Sequence, residues 1–255
     1  HTRYPLVTGV QTCALPISVV IRTHKLGEAD RIVTFISREH GLIRGVAKGV
    51  RRTKSKFGAR LEPGSYIDVQ LYTGKNLDVV TQVETMENFG DAIAADYQKW
   101  TIASTILEVA ERFAGNEGEP SVQQFLLLVG ALKSLAYEAH HPALILDAYL
   151  LRSLSLAGYA PSMTICSRCE APGPHRFFSL VGGGSVCNSC KPPASATASP
   201  ETLKLMADLL TGDWESADAS EIRSRREASG LVAAYLQWHL ERNLKSLPMV
   251  ERVVP

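Results

Sequence analysis

Two cysteine pairs carry the most specific chemistry in the chain: Cys166 with Cys169, and Cys187 with Cys190. Each is a C-x-x-C, and seventeen residues separate the pairs, within the roughly 15–20 of two-knuckle structural zinc sites. Two intervening residues make a tight turn, so both sulfurs of a pair reach one ion. The second pair completes a thiolate tetrahedron with Zn–S distances of about 2.3 Å. Four thiolates close the coordination sphere and leave no position for water, so a single zinc ion here is structural. Three other readings compete. Two disulfides need an oxidising compartment. A redox pair wants one C-x-x-C at a strand-to-helix junction. Four unligated thiols would leave a Gly- and Pro-rich loop almost without a core. Cys13, the fifth cysteine, has no partner in the sequence and reads as an unpaired thiol.

A second constellation is cationic. Arg44, Lys48, Arg51, Arg52, Lys54, Lys56 and Arg60 fall close together, and no acidic residue lies between Glu39 and Glu62. Gly45, Gly49 and Gly58 let the backbone approach a ligand closely. Flexible cations presented in this way suit a phosphate backbone; the plainer reading is a solvated charged loop. Phe57, inside the run, either stacks on a base or closes a core, and the core is the better reading. Arg31 and Arg38 are candidates to extend the surface. Arg223, Arg225, Arg226 and Arg242 form a weaker basic set that Glu221, Glu227 and Glu241 offset, which reads as a solvent-facing helix.

The elements that must position these groups emerge from periodicity. Residues 19–88 show five short strands, at 19–23, 31–37, 42–47, 65–72 and 78–84, rich in β-branched and aromatic residues. Five strands in so short a span point to an OB-type barrel, although strand count alone also fits an SH3-like one. From residue 91 to 250 the period becomes helical. Helices are expected from Ile93 to Gly115, from Ser121 with Gln124 placed for a capping box, from Pro142 to Gly158, from Ser199-Pro200 to Gly212, and from Ser220 to Ser246. A zinc ribbon at 162–192 interrupts them, with a hairpin strand near Phe177 and a small-residue linker after it. The expected class is α+β and multidomain: an OB-fold β-barrel, then an all-helical domain with an inserted four-cysteine zinc ribbon. Residues 1–18 join poorly to the first strand and read as an atypical leader, part of it foreign to the mature protein.

Composition sets bounds on function. The chain has 255 residues, 45% of them hydrophobic and 21% charged, with a net charge of +1, which is globular composition. The charge is uneven: residues 19–90 hold twelve Lys/Arg against eight Asp/Glu, and residues 91–255 fourteen against eighteen. No apolar run approaches the roughly 20 residues of a membrane span, and a cytoplasmic location is expected. There is no Gly-rich phosphate loop, GxSxG or HExxH, and no acidic cluster able to hold magnesium. Glu28 and Asp30 read as turn caps, and His140-His141 as surface residues. No enzyme is expected.

Residues 26–33 (LGEADRIV), 37–55 (SREHGLIRGVAKGVRRTKS), 61–63 (LEP) and 157–161 (AGYAP), with the two cysteine pairs, resemble the RecO family of bacterial recombination mediators. The likeness covers residues 19–250; the leader departs from it. It implies an N-terminal OB fold, a helical domain with a zinc finger, and binding and annealing of single- and double-stranded DNA. It also implies assistance to RecA in displacing SSB, with RecR and the SSB C-terminal tail as partners. By position, the cations from Arg44 to Arg60 match the family's DNA-contacting face. Two other classes stay open on the residues alone: a protein-binding adaptor without direct DNA contact, and a zinc-ribbon subunit of a nucleic-acid enzyme.

Overall fold

The computed structural model describes residues 13–14, 16–115, 118–240 and 244–250. Strands β1 (Cys13–Ala14), β2 (Ile17–Leu26), β3 (Asp30–Ser37), β4 (Gly41–Ala47), β5 (Tyr66–Tyr72) and β6 (Asp78–Glu87) form one sheet in the order β1-β5-β2-β3-β4-β6. Antiparallel β5–β6 pairing and parallel β4–β6 pairing, with Gly45 opposite Asp78 and Val46 opposite Val79, close β2 to β6 into an OB-like barrel. Register shifts in β2 and at two points between β5 and β6 supply the bends that closure needs.

The barrel has two apolar faces. Val20, Val33, Phe35, Ile43, Ile67, Val69, Leu71, Val80 and Val83 fill the interior, and Phe57 and Leu61 plug it from a 3-10 turn at Gly58–Leu61. On the outer wall, Val19, Ile21, Ile36 and Leu42 join the core of the helical part instead. The unbroken apolar run at residues 19–21 therefore serves both faces. Arg22 of β2 pairs with Glu111 at 2.8 Å across the seam. Gly41 adopts φ +66°, and a Cβ there would stand 2.9 Å from the Glu119 carbonyl oxygen, so glycine is what lets the two parts approach.

The helical part comprises α1 (Gly90–Ala94), α2 (Tyr97–Phe113), α3 (Val122–Ala136), α4 (Pro142–Leu156), α5 (Pro200–Thr211), α6 (Trp214–Asp218) and α7 (Ile222–His239). Helix α4 is the centre: every residue from Ala143 to Leu151 is buried. Ser121, Ser199, Asp96 and Asp213 each accept a backbone N–H at a helix start. Gly212 closes α5 at φ +94°.

Several details depart from the sequence expectation. Strand β2 begins at Ile17 rather than residue 19, and Ile17 and Ser18 pair with Asp68 and Ile67. Cys13 and Ala14 add a short edge to β5, so the end of the expected leader belongs to the barrel. Residues 1–12, and the Cys13 thiol, lie outside the described residues. The first expected helix is two, because Asp96 leaves helical geometry and caps α2. Gln124 makes only half a capping box: its N–H meets Ser121 Oγ, but its side-chain amide donates to the Ser153 carbonyl on α4. The last helix stops at His239, short of Ser246. The expected linker at 192–199 contributes a strand.

Candidate nucleic-acid interface and metal centre

The cysteine pairs sit between α4 and α5 on a small sheet of β7 (Phe177–Ser179), β8 (Gly184–Val186) and β9 (Ala196–Thr197), in the order β8-β7-β9. Strand β9 extends the insert past residue 192. Backbone bonds set the first knuckle: Glu170 N–H donates to Cys166 O, Cys166 N–H to Ala171 O, and Ser167 N–H to Ser185 O. Gly184 is required by contact as well as by φ +139°, since a Cβ would fall 2.2 Å from Ser162 O. Phe178 ties the ribbon into the helical core, edge-on to Tyr235 with centroids 5.5 Å apart.

This folding brings all four predicted ligands together. The sulfurs of Cys166, Cys169, Cys187 and Cys190 lie within 4.8 Å of one another, the one such cluster among the described residues. Cys169 and Cys187 are 3.8 Å apart, the edge of a tetrahedron with metal–sulfur distances of about 2.3 Å. The N–H of Cys187, 3.3 Å from Cys166 Sγ, leads the donors that hold the Cys166 thiol down to about 6. Hydrogen bonds with the Cys169 and Cys187 sulfurs push Cys190 up to about 12. Thiols this crowded resist ionising together, and a divalent cation removes that conflict by binding all of them as thiolates. The donor set fits a soft or borderline ion and closes around it.

The seven cations are all exposed: Arg44 lies midway along β4, and the other six follow that strand's C-terminal end in the loop that leads to β5. Arg44 stands on the outer face of β4, two residues beyond the buried Leu42, and Lys48 comes just past the strand's end. Asp30 Oδ1 accepts the Gly49 N–H at 2.7 Å and fixes the start of the loop, so this carboxylate is a turn cap. Arg51 donates to the carbonyls of Glu28 and Gly27 at 2.9 and 3.4 Å. Arg52 and Lys54 occupy the exposed crest. Lys56 donates to Thr81 O at 2.7 Å and Arg60 to Lys56 O at 3.4 Å. Lys56 and Arg60 line an open groove against Thr81–Thr85 of β6. Only the alternation of β6 with the barrel core marks that wall in the sequence, and the sequence reading does not include it in the interface.

Hydrogen bonds to carbonyls orient Arg51, Lys56 and Arg60 without cancelling their charge. Among the described residues none of the seven is ion-paired. Arg31 differs: Glu62 holds it at 2.7 Å, so it does not extend the surface. Phe57 is 2% exposed and belongs to the core. In the other basic set, Arg225 is bound to Ser220 Oγ and the Asp218 carbonyl, and Arg242 lies outside the described residues. His141 accepts the Ala143 N–H as a helix cap, and His140 stacks on Trp214 while meeting Asp218 at 2.7 Å.

Fold and site together define a class: an OB-type barrel bearing exposed cations, its outer wall joined to the core of a helical body that carries a ribbon with four cysteines close enough to hold a metal ion. Residues 17–89 match the family described as Recombination protein O N terminal, and residues 94–248 that described as Recombination protein O C terminal. The chain is 57% identical over 240 residues to the DNA repair protein RecO of Streptomyces avermitilis, covering 92% of this chain and 97% of that protein. It is 57% identical over 234 residues to the DNA repair protein RecO of Thermobifida fusca, covering 92% and 96%. The chain belongs to the RecO family of DNA repair and recombination proteins. No helix among the described residues is long and apolar enough to cross a membrane.

Proposed function

We propose that this protein is a non-enzymatic, cytoplasmic DNA-binding mediator of recombination and gap repair. Arg44, Lys48, Arg51, Arg52, Lys54, Lys56 and Arg60 hold the phosphate backbones of single and double strands and neutralise them enough for complementary strands to meet and anneal. The helical body recruits partners: RecR, and the C-terminal tail of SSB, so that RecA is loaded on strands SSB had covered. One zinc ion held by Cys166, Cys169, Cys187 and Cys190 pins the ribbon and takes no part in reading DNA.

The observation that carries this reading is the set of exposed cations on β4 and the loop after it, without carboxylate partners among the described residues, in a chain whose remainder is net acidic. Such a surface binds phosphate chiefly by counterion release. The test is annealing of complementary oligonucleotides by the purified protein without nucleotide. Annealing that weakens steeply with salt is expected. Absence of both binding and annealing sinks the proposal and favours an adaptor without DNA contact.

A further inference from the structure

The basic groove does not end on the barrel. Arg60 and Thr85 line both that groove and a second cleft of about 410 Å³ where the barrel meets α1 and α2. Ile93, Ala103 and Leu107 give the cleft apolar walls, and Trp100 of α2 stands on it 45% exposed. Three carboxylates also face it, and each is engaged. Glu62 pairs with Arg31 at 2.7 Å, Glu87 meets Lys133 at 3.2 Å and the Tyr137 hydroxyl at 2.9 Å, and Asp91 accepts from the Asn88 amide at 2.8 Å.

From this we propose that the junction cleft accepts one unstacked nucleobase of a single strand, packed on Trp100, while Arg60 holds the adjoining phosphate at the mouth. The inference rests on the DNA-binding reading above and adds a site to it. Charge sets the direction of entry: Asp91 has no cation partner among the described residues and Arg60, at the mouth, is the one cation on the lining, so the uncharged base goes in and the backbone stays in the Lys56–Arg60 groove. An indole offers a sequence-tolerant stacking surface. A base inside a duplex is already stacked and paired and cannot be delivered into the cleft without cost. The cleft therefore favours single strands, whereas the cations alone do not discriminate.

The test uses the full chain, a short oligothymidylate and a duplex of equal length. Trp100→Ala should weaken oligothymidylate binding by about tenfold, the scale of one lost base–aromatic stack, leaving duplex affinity and the salt slope unchanged. Trp100→Phe should restore most of the loss. Equal losses on both ligands, or none on either, overturn the proposal. Should the Ala variant melt early, fluorescence of Trp100→Phe decides: oligothymidylate should quench the wild type and lose a component of that quenching in the variant, and undiminished quenching overturns the proposal. If Trp100→Ala is silent while alanines in the basic loop still flatten the salt slope, the cleft alone is wrong. If the wild type binds neither ligand, the DNA-binding reading falls with it.

Discussion

The helical body and the barrel treat charge in opposite ways. In the body, several charged and polar groups are matched within the chain, although Ser153 Oγ and His239 Nε2 are buried without a hydrogen-bond partner among the described residues. Lys99, largely buried, meets Glu138; Glu227 accepts from Thr202 Oγ1 and the Ser199 N–H at the start of α5; and four sulfurs crowd around a common centre. On the barrel, seven exposed cations have no carboxylate partner among the described residues, three of them held by backbone carbonyls, and their charge is left for something outside the chain. The first pattern builds a scaffold and the second builds a surface. Removing a group from the scaffold should alter stability with little effect on ionic binding, and removing one from the surface should do the reverse.

The largest effect on the scaffold side is expected at the metal. Cys187→Ser should abolish the single zinc measured by elemental analysis and lower the melting temperature of the helical body. Sites of this kind contribute about 10–16 kcal/mol to isolated zinc peptides; only part should be lost here, because Phe178 and Met163 also anchor the ribbon in the core. The salt slope for DNA should not move. Wild-type protein without zinc would remove the metal from the comparison. Next in size, Phe57→Ala should cost about 3–5 kcal/mol in chemical denaturation, because Phe57 plugs the barrel although it lies among cations in sequence.

Replacing Arg51, Arg52, Lys54 and Lys56 together with Ala tests the opposite side. If each neutralises one phosphate, the dependence of log affinity on log salt for single strands should flatten by about 3, with the melting temperature little changed. An unchanged slope places the interface elsewhere, and a collapsed fold would show that the loop belongs to the scaffold.

The two regions also differ in how openly the sequence declares them. The four ligands are readable because knuckle geometry is local: two residues between cysteines suffice, and the hairpin between the knuckles is short. The barrel is readable from alternation at residues 66–72 and 78–84. What escapes depends on partners far along the chain. Ile17 and Ser18 look like leader until β5 is placed beside them. Ala196 and Thr197 look like linker until Phe177 and Phe178 are there to pair with. Gln124 fits a capping box by spacing, yet α4 offers its amide the Ser153 carbonyl. Arg31 resembles its cationic neighbours, and only the fold brings Glu62 to it from thirty-one residues away. Spacing announces short-range chemistry; whether a charge is spent internally is a tertiary property.

The smallest expected effect sharpens this last point. Burial alone would raise the Glu108 carboxyl, but the Ser246 hydroxyl, the N–H groups of Lys245 and Ser246, and nearby Arg112 outweigh it and hold the group below its ordinary value of 4.5. A carboxyl depressed in the folded state stabilises fully above its unfolded value, and that contribution is lost as pH falls through the folded one. Glu108→Gln should therefore melt slightly below wild type at neutral pH, with the two curves converging as pH drops below about 4.5. Because the group is largely solvent-screened, the neutral-pH difference should be no more than about 1 kcal/mol, or about 2–4 °C. A gap that widens in acid would show that the chain from Lys245 to Ser246 is not held to α2 by this charge, and that the body's internal matching stops short of its C-terminal segment.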